Sequence, residues 1–157
     1  MATLFITCGV QGAGKTTRAK ALESEHNALR LTPDEWLTAL YPELRSGVGP
    51  EARATMEALH WAMALRALEI GANVVLDFGL WAKEERDRFR GEAQARGARV
   101  VLCLLEPPRE ELVRRLARRN VDRTAGTFHI AERDLDSALA TFQRPTPEEL
   151  ALFDAVE

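Results

Sequence analysis

Near the start of the chain, Gly9-Val10-Gln11-Gly12-Ala13-Gly14-Lys15-Thr16 sets glycines at both ends of a short stretch, then a lysine and a hydroxyl. Each type has a physical role at its place. The glycines let the backbone curl, so that successive N–H groups point into one concavity that suits an anion. Lys15 can reach the outer phosphates of a triphosphate, and the Thr16 hydroxyl can ligate Mg²⁺. A helix beginning here adds its positive end to the same place. The chemistry is phosphate binding and, with a triphosphate in the loop, phosphoryl transfer.

Such spacing also fits a glycine turn that happens to carry a lysine, so its flanks decide. Leu4-Phe5-Ile6-Thr7-Cys8 before it is short, apolar and rich in strand formers. Thr17-Arg18-Ala19-Lys20-Ala21-Leu22-Glu23 after it consists mostly of helix formers. Strand, glycine loop and helix is the order the motif requires.

The rest of the chain keeps alternating. Strands are expected over 3–8, 28–31, 73–77 and 99–105, and the end, Leu152 to Val156, reads as a last short strand. Helices are expected over 15–25, 51–70, 82–96 and 130–142, with others opening at Thr32-Pro33 and after Pro107-Pro108. Thr32-Pro33-Asp34-Glu35 and Thr146-Pro147-Glu148-Glu149 carry the capping pattern. In the long helix, Met56, Leu59, Met63, Ala67 and Ile70 give the apolar stripe, with Trp61 in the core. Arg45 to Pro50 is a loop, and Gly126-Thr127 breaks the arginine-rich helix. The alternation predicts an α/β fold, a parallel sheet of four to five strands with helices on both faces, in one domain spanning 1–157.

Ligands in such sheets bind beyond the C-terminal strand ends, which singles out a few residues. Asp34 follows the second strand and suits a carboxylate that orients an attacking hydroxyl and accepts its proton; as a first-turn acid it also suits the helix dipole. Asp77 ends the third strand, where it can contact Mg²⁺ through water, bind an acceptor, or cap the turn before Gly79. Arg109, Arg114, Arg115, Arg118, Arg119 and Arg123 cluster on one helix. Glu110–Arg114 and Glu111–Arg115 read as four-residue surface pairs, whereas Arg118, Arg119 and Arg123 have no such acid upstream and suit a lid over about 118–130 that stabilises a transferring phosphoryl group. Trp36 and Trp81 stand beside the acids, as pocket walls or as core. The three histidines show no metal spacing.

The net charge of −3 counts against an extended nucleic-acid surface. Two cysteines in apolar strands imply buried thiols and no disulfide framework. With no secretory signal and no apolar run of membrane-spanning length, a cytoplasmic protein without membrane contact is expected. The sequence sets no oligomeric state.

With these residues assembled, the chain resembles the AAA-type ATP-binding family of small P-loop kinases, a group similar to chloramphenicol phosphotransferase, zeta toxins and polynucleotide kinase domains. The segments that carry the resemblance are Gly9–Thr17, Leu31–Trp36, Val74–Trp81 and Arg114–Asn120. It implies the P-loop NTPase fold with strand order 2-3-1-4-5, ATP and Mg²⁺, a carboxylate base at Asp34 and lid arginines. It also implies an adenine site at Arg118 or Arg119 and Pro145, with a fifth strand that is short or absent. The leading expectation is an ATP-dependent kinase acting on a hydroxyl of an antibiotic- or nucleoside-like small molecule. The alternatives are a polynucleotide 5′-hydroxyl kinase and a nucleotide-binding regulatory module with little transfer activity.

Overall fold

A computed structural model describes residues 1–43, 48–122 and 128–157. The strands are β1 (Thr3–Cys8), β2 (Leu29–Leu31), β3 (Val74–Gly79), β4 (Arg99–Leu104) and β5 (Ala155–Val156). The helices are α1 (Lys15–His26), α2 (Pro33–Leu40), α3 (Pro50–Glu69), α4 (Lys83–Gln94), α5 (Arg109–Asp122), α6 (Glu132–Thr141) and α7 (Pro147–Leu150). The sheet runs β2-β3-β1-β4-β5, with every pairing parallel. β5 is a two-residue strand beside β4, the short fifth strand expected. Arg123, the break at Gly126-Thr127 and the loop residues Arg45 to Gly47 lie outside the described residues.

Alternate strand residues face opposite layers. Leu4, Ile6, Val74, Leu76, Val100 and Leu102 pack with Trp61, Ala64, Leu68, Phe89 and Ala93 of α3 and α4. Phe5, Val75, Val101 and Cys103 pack with Ala19 and Leu22 of α1. Both sheet faces are covered, which is why these strands read as nearly continuous apolar runs. Among the described residues, no helix is long and apolar enough to cross a membrane.

Two local expectations are corrected. The buried face of α3 is Met56, His60, Trp61, Ala64, Ala67 and Leu68, whereas Leu59, Met63 and Ile70 are exposed. Apolar residues occur all round this helix, so its spacing alone leaves the phase open by one position. Thr32 stands at the N-cap of α2, but its hydroxyl makes no cap bond; Thr146 does cap α7, accepting from the Glu149 N–H at 3.3 Å.

Candidate active site

The loop between β1 and α1 turns on glycines in left-handed geometry, with φ of 152° at Gly9, 79° at Gly12 and 100° at Gly14. A Cβ at Gly9 would lie 2.5 Å from the Leu105 carbonyl oxygen, so sterics as well as φ reserve that position for glycine. Lys15 opens α1 and its ammonium donates to the Val10 carbonyl at 2.8 Å. Burial pushes the Lys15 ammonium down from its ordinary value, and the carboxylates of Asp77 and Asp34 oppose that shift.

Asp77, at the end of β3, is buried and meets three hydroxyls. Thr16 donates to Oδ2 at 2.6 Å, Thr32 to the same oxygen at 3.3 Å, and Thr7 lies 3.4 Å from Oδ1. Burial raises the Asp77 carboxyl, and the Thr16 bond, the Lys15 charge and the Thr32 bond work against it. The chain then turns sharply: Gly79 has φ 97° and Leu80 has φ 42°, rare for a branched side chain. The turn brings Trp81 back, and its indole N–H donates to the Gly9 carbonyl at 3.1 Å.

A cleft of about 1180 Å³ joins these elements, lined by Gln11 to Thr17, Asp34, Arg53, Glu57, Asp77, Trp81, Arg115 and Arg119 among others. Asp34 pairs with Arg53, which also lies 3.6 Å from Glu57. Arg115 donates to the Ala13 carbonyl at 3.2 Å and to Glu111 at 2.6 Å. Arg119 differs: its Nε and Nη2 are buried with no hydrogen-bond partner among the described residues. Burial pushes its guanidinium down, and Asp34 is the charge that opposes this. Gln11 Oε1 is likewise buried and unpartnered. Asn120 fastens Ile130 by two bonds, 2.6 Å to its carbonyl and 3.2 Å from its N–H, and so fixes Phe128 to Ile130 in the cleft wall.

The cleft thus gathers Gln11, Gly12, Ala13, Gly14, Lys15, Thr16, Thr17, Asp34, Asp77, Trp81 and Arg119. Four other candidates stand apart, the first being Gly9, which shapes the loop from beneath, packed against the Leu105 carbonyl and accepting from Trp81. The Arg118 side chain is 86% exposed and pairs with Asp122 at 3.4 Å. Trp36 packs edge-on against the His60 ring, with centroids 4.7 Å apart. Pro145 is buried away from the cleft. Arg53 and Glu57 were not expected here; an arginine and a glutamate inside a helix pattern carry no signal separating a cleft from a solvated face.

These residues fit a nucleoside triphosphate and Mg²⁺. The orphaned Arg119 donors and the glycine-lined concavity suit phosphate oxygens. The described residues hold no cluster of three His, Cys, Asp or Glu, and Mg²⁺ needs none when phosphates complete its shell. Thr16 and Asp77 would hold it.

The family model described as AAA domain matches residues 4–145. No curated protein sequence matches the chain. Among solved structures, Kti12 of Chaetomium thermophilum in complex with ADP-AlF3 is 21% identical with a TM-score of 0.73, covering 98% of this chain and 86% of its own. A sugar kinase from Janibacter sp. HTCC2649 is 19% identical with a TM-score of 0.69, covering 100% and 85%. The APS kinase CysC of Mycobacterium tuberculosis, in complex with AMPPNP and APS, is 18% identical with a TM-score of 0.64, covering 99% and 87%. The fold they share with this chain is that of the P-loop NTPases.

Proposed function

The chain belongs to the AAA domain family, and we propose that it is an ATP-dependent kinase that phosphorylates a hydroxyl of a small molecule, antibiotic- or nucleoside-like in character. The observation that carries this reading is that Asp34 and Arg119, from different elements, line the same cleft as Lys15 and the Thr16–Asp77 pair. A site that only held nucleotide would not need, in the same cleft, a carboxylate and an arginine whose donors are unpartnered among the described residues. The net charge of −3 supports a small-molecule acceptor over a polynucleotide.

In this mechanism the triphosphate lies on the N–H groups of the loop, and Lys15 exchanges the Val10 carbonyl for phosphate oxygens. Thr16 and Asp77 would hold Mg²⁺, which would supply charge neutralisation at the phosphates when bound. Asp34 accepts a hydrogen bond from the acceptor hydroxyl. As the acceptor oxygen bonds to the γ-phosphorus, the bond to the bridging oxygen of ADP breaks and the hydroxyl proton passes to Asp34. Arg119 offers its free N–H groups to the oxygens of the transferring group, where charge must be matched. Two free buried cysteines accord with a reducing cytoplasm.

Titrating ATP against the wild-type protein and Lys15→Ala tests the foundation, and equal affinities would remove it. A screen of hydroxylated acceptors with labelled ATP then tests transfer. With a small-molecule acceptor, activity should vary little with salt. A polynucleotide contacting several phosphates would lose roughly a thousandfold in affinity between low and moderately high salt, and that outcome would replace the small-molecule acceptor.

A further inference from the structure

Thr32 occupies the N-cap of α2, yet its hydroxyl accepts no N–H of the first turn. Its partners lie elsewhere. Arg30 Nη1 donates to Thr32 Oγ1 at 2.5 Å. A guanidinium has donors only and cannot accept a hydrogen in return. The single hydrogen of the Thr32 hydroxyl is therefore directed away from Arg30, and the acceptor in reach is Asp77 Oδ2 at 3.3 Å. Polarity thus runs one way, from Arg30 through Thr32 to Asp77.

Arg30 is itself fixed. Its Nε donates to Glu23 at 2.8 Å and its Nη2 to Glu35 at 3.0 Å, and only 13% of its side chain is exposed. Glu23 belongs to α1 and Glu35 to α2, so the guanidinium is tied to both helices that flank β2. At the other end, Thr7 is closer to the Leu76 carbonyl, at 3.2 Å, than to Asp77 Oδ1. Thr32 is then the donor besides Thr16 that resists rotation of the Asp77 carboxylate.

We propose that Arg30 and Thr32 are positioning residues: the relay orients the Asp77 carboxylate toward Thr16 and so sets the affinity of the site for Mg²⁺ in the nucleotide complex. This rests on the phosphotransferase reading. The role is separable from nucleotide binding, because neither Arg30 nor Thr32 belongs to the phosphate loop. It also explains why an N-cap threonine leaves its cap bond unmade.

The test is ATP binding measured first in EDTA and then across a Mg²⁺ titration, on folded protein checked by thermal melt. Thr32→Val keeps the shape and removes the hydroxyl. Its metal-free ATP affinity should stay within about twofold of wild type, while the Mg²⁺ needed for half-saturation should rise about tenfold or more, the scale on which partners of metal ligands act. Thr32→Ser restores the donor and should restore the metal requirement. Arg30→Met leaves the hydroxyl free to turn and should raise the requirement in the same direction, which keeps the relay testable should Thr32→Val fold poorly. An unchanged Mg²⁺ requirement in Thr32→Val and Arg30→Met, with ATP still bound, would overturn the relay alone. Failure of the wild-type protein to bind ATP would overturn the phosphotransferase reading and the relay with it.

Discussion

Arg53, in the first turn of α3, donates to the carboxylate of Asp34, in the first turn of α2. Two helix starts thus meet at the cleft, and the guanidinium also faces Glu57 one turn along its own helix. Both partners are about 40% exposed, at 39% and 41%, so the pair contributes little to stability. Its effect is geometric: it holds Asp34 in one orientation. Arg53→Ala should therefore lower transfer by roughly 10–100-fold through misplacement, with ATP affinity nearly unchanged. Single-turnover rates beside ATP titrations separate the two quantities.

Arg118 and Arg119 make a second test, since they are neighbours in sequence with opposite surroundings. Arg119→Met removes buried donors that have no partner among the described residues. Relief of an unmet donor is worth about 1–3 kcal/mol, so the variant should melt no earlier than wild type while transfer falls at least about a hundredfold, the lower end for a catalytic donor. Arg118→Ala, at an exposed residue paired with Asp122, should change neither. Equal losses of turnover in both variants would reject the distinction.

The sequence discloses the sheet because strand periodicity, glycine stops and β-α alternation are local signals, and it discloses the phosphate loop because its residues are contiguous. Arg86 shows where such reading stops. In sequence it sits in a charged helix and looks solvated, yet it is fully buried because Glu149, 63 residues later, meets it at 2.6 Å. His60 interrupts the buried face of α3, so apolar spacing selected Leu59 and Met63 instead. Thr32 carried a correct cap signal, but the hydroxyl was claimed by Arg30 and Asp77 from outside the helix. Each miss involves a partner distant in sequence, or a polar side chain whose burial only packing decides.

The Arg86 network gives a stability prediction. Besides Glu149, Arg86 donates to the carbonyls of Leu80, Trp81 and Gln143 at 3.0, 3.0 and 2.8 Å. Glu149→Leu leaves a buried unpaired cation and should cost about 3–5 kcal/mol. Arg86→Met with Glu149→Leu removes both charges but strands three carbonyls, so it should recover only part of that loss. Urea unfolding of the three proteins checks the order.

His60 predicts a pH effect. Its ring is fully buried, with both nitrogens unpartnered among the described residues, and burial pushes its pKa below the ordinary value of 6.5. The unfolded chain then binds the proton more readily than the native one. Stability from the neutral ring is complete above the unfolded value and drains away as pH falls below about 6.5, by up to about 1.4 kcal/mol per unit. His60→Phe should flatten that part of the stability curve between about pH 6.5 and 5. Parallel slopes for the two proteins would assign the acid loss to other groups.

In the proposed mechanism Asp34 accepts the proton of the acceptor hydroxyl, so its replacement is the decisive measurement. It lies at the second position of α2, where an acid near the helix start contributes about 0.3–1 kcal/mol through the dipole. Losing a general base costs about 10²–10⁴ in rate. These scales differ enough to separate the two roles. Asp34→Asn keeps the shape and can still meet Arg53 through its amide oxygen, so misplacement stays small. Transfer to the acceptor should fall at least about a hundredfold, on that general-base scale. ATP affinity should hold or rise, because a negative charge leaves the neighbourhood of Lys15 and Arg119. The melting point should move by no more than the dipole contribution. Transfer within a few-fold of wild type would remove Asp34 from the proton step and make Asp77, the other cleft carboxylate near Lys15, the next residue to replace.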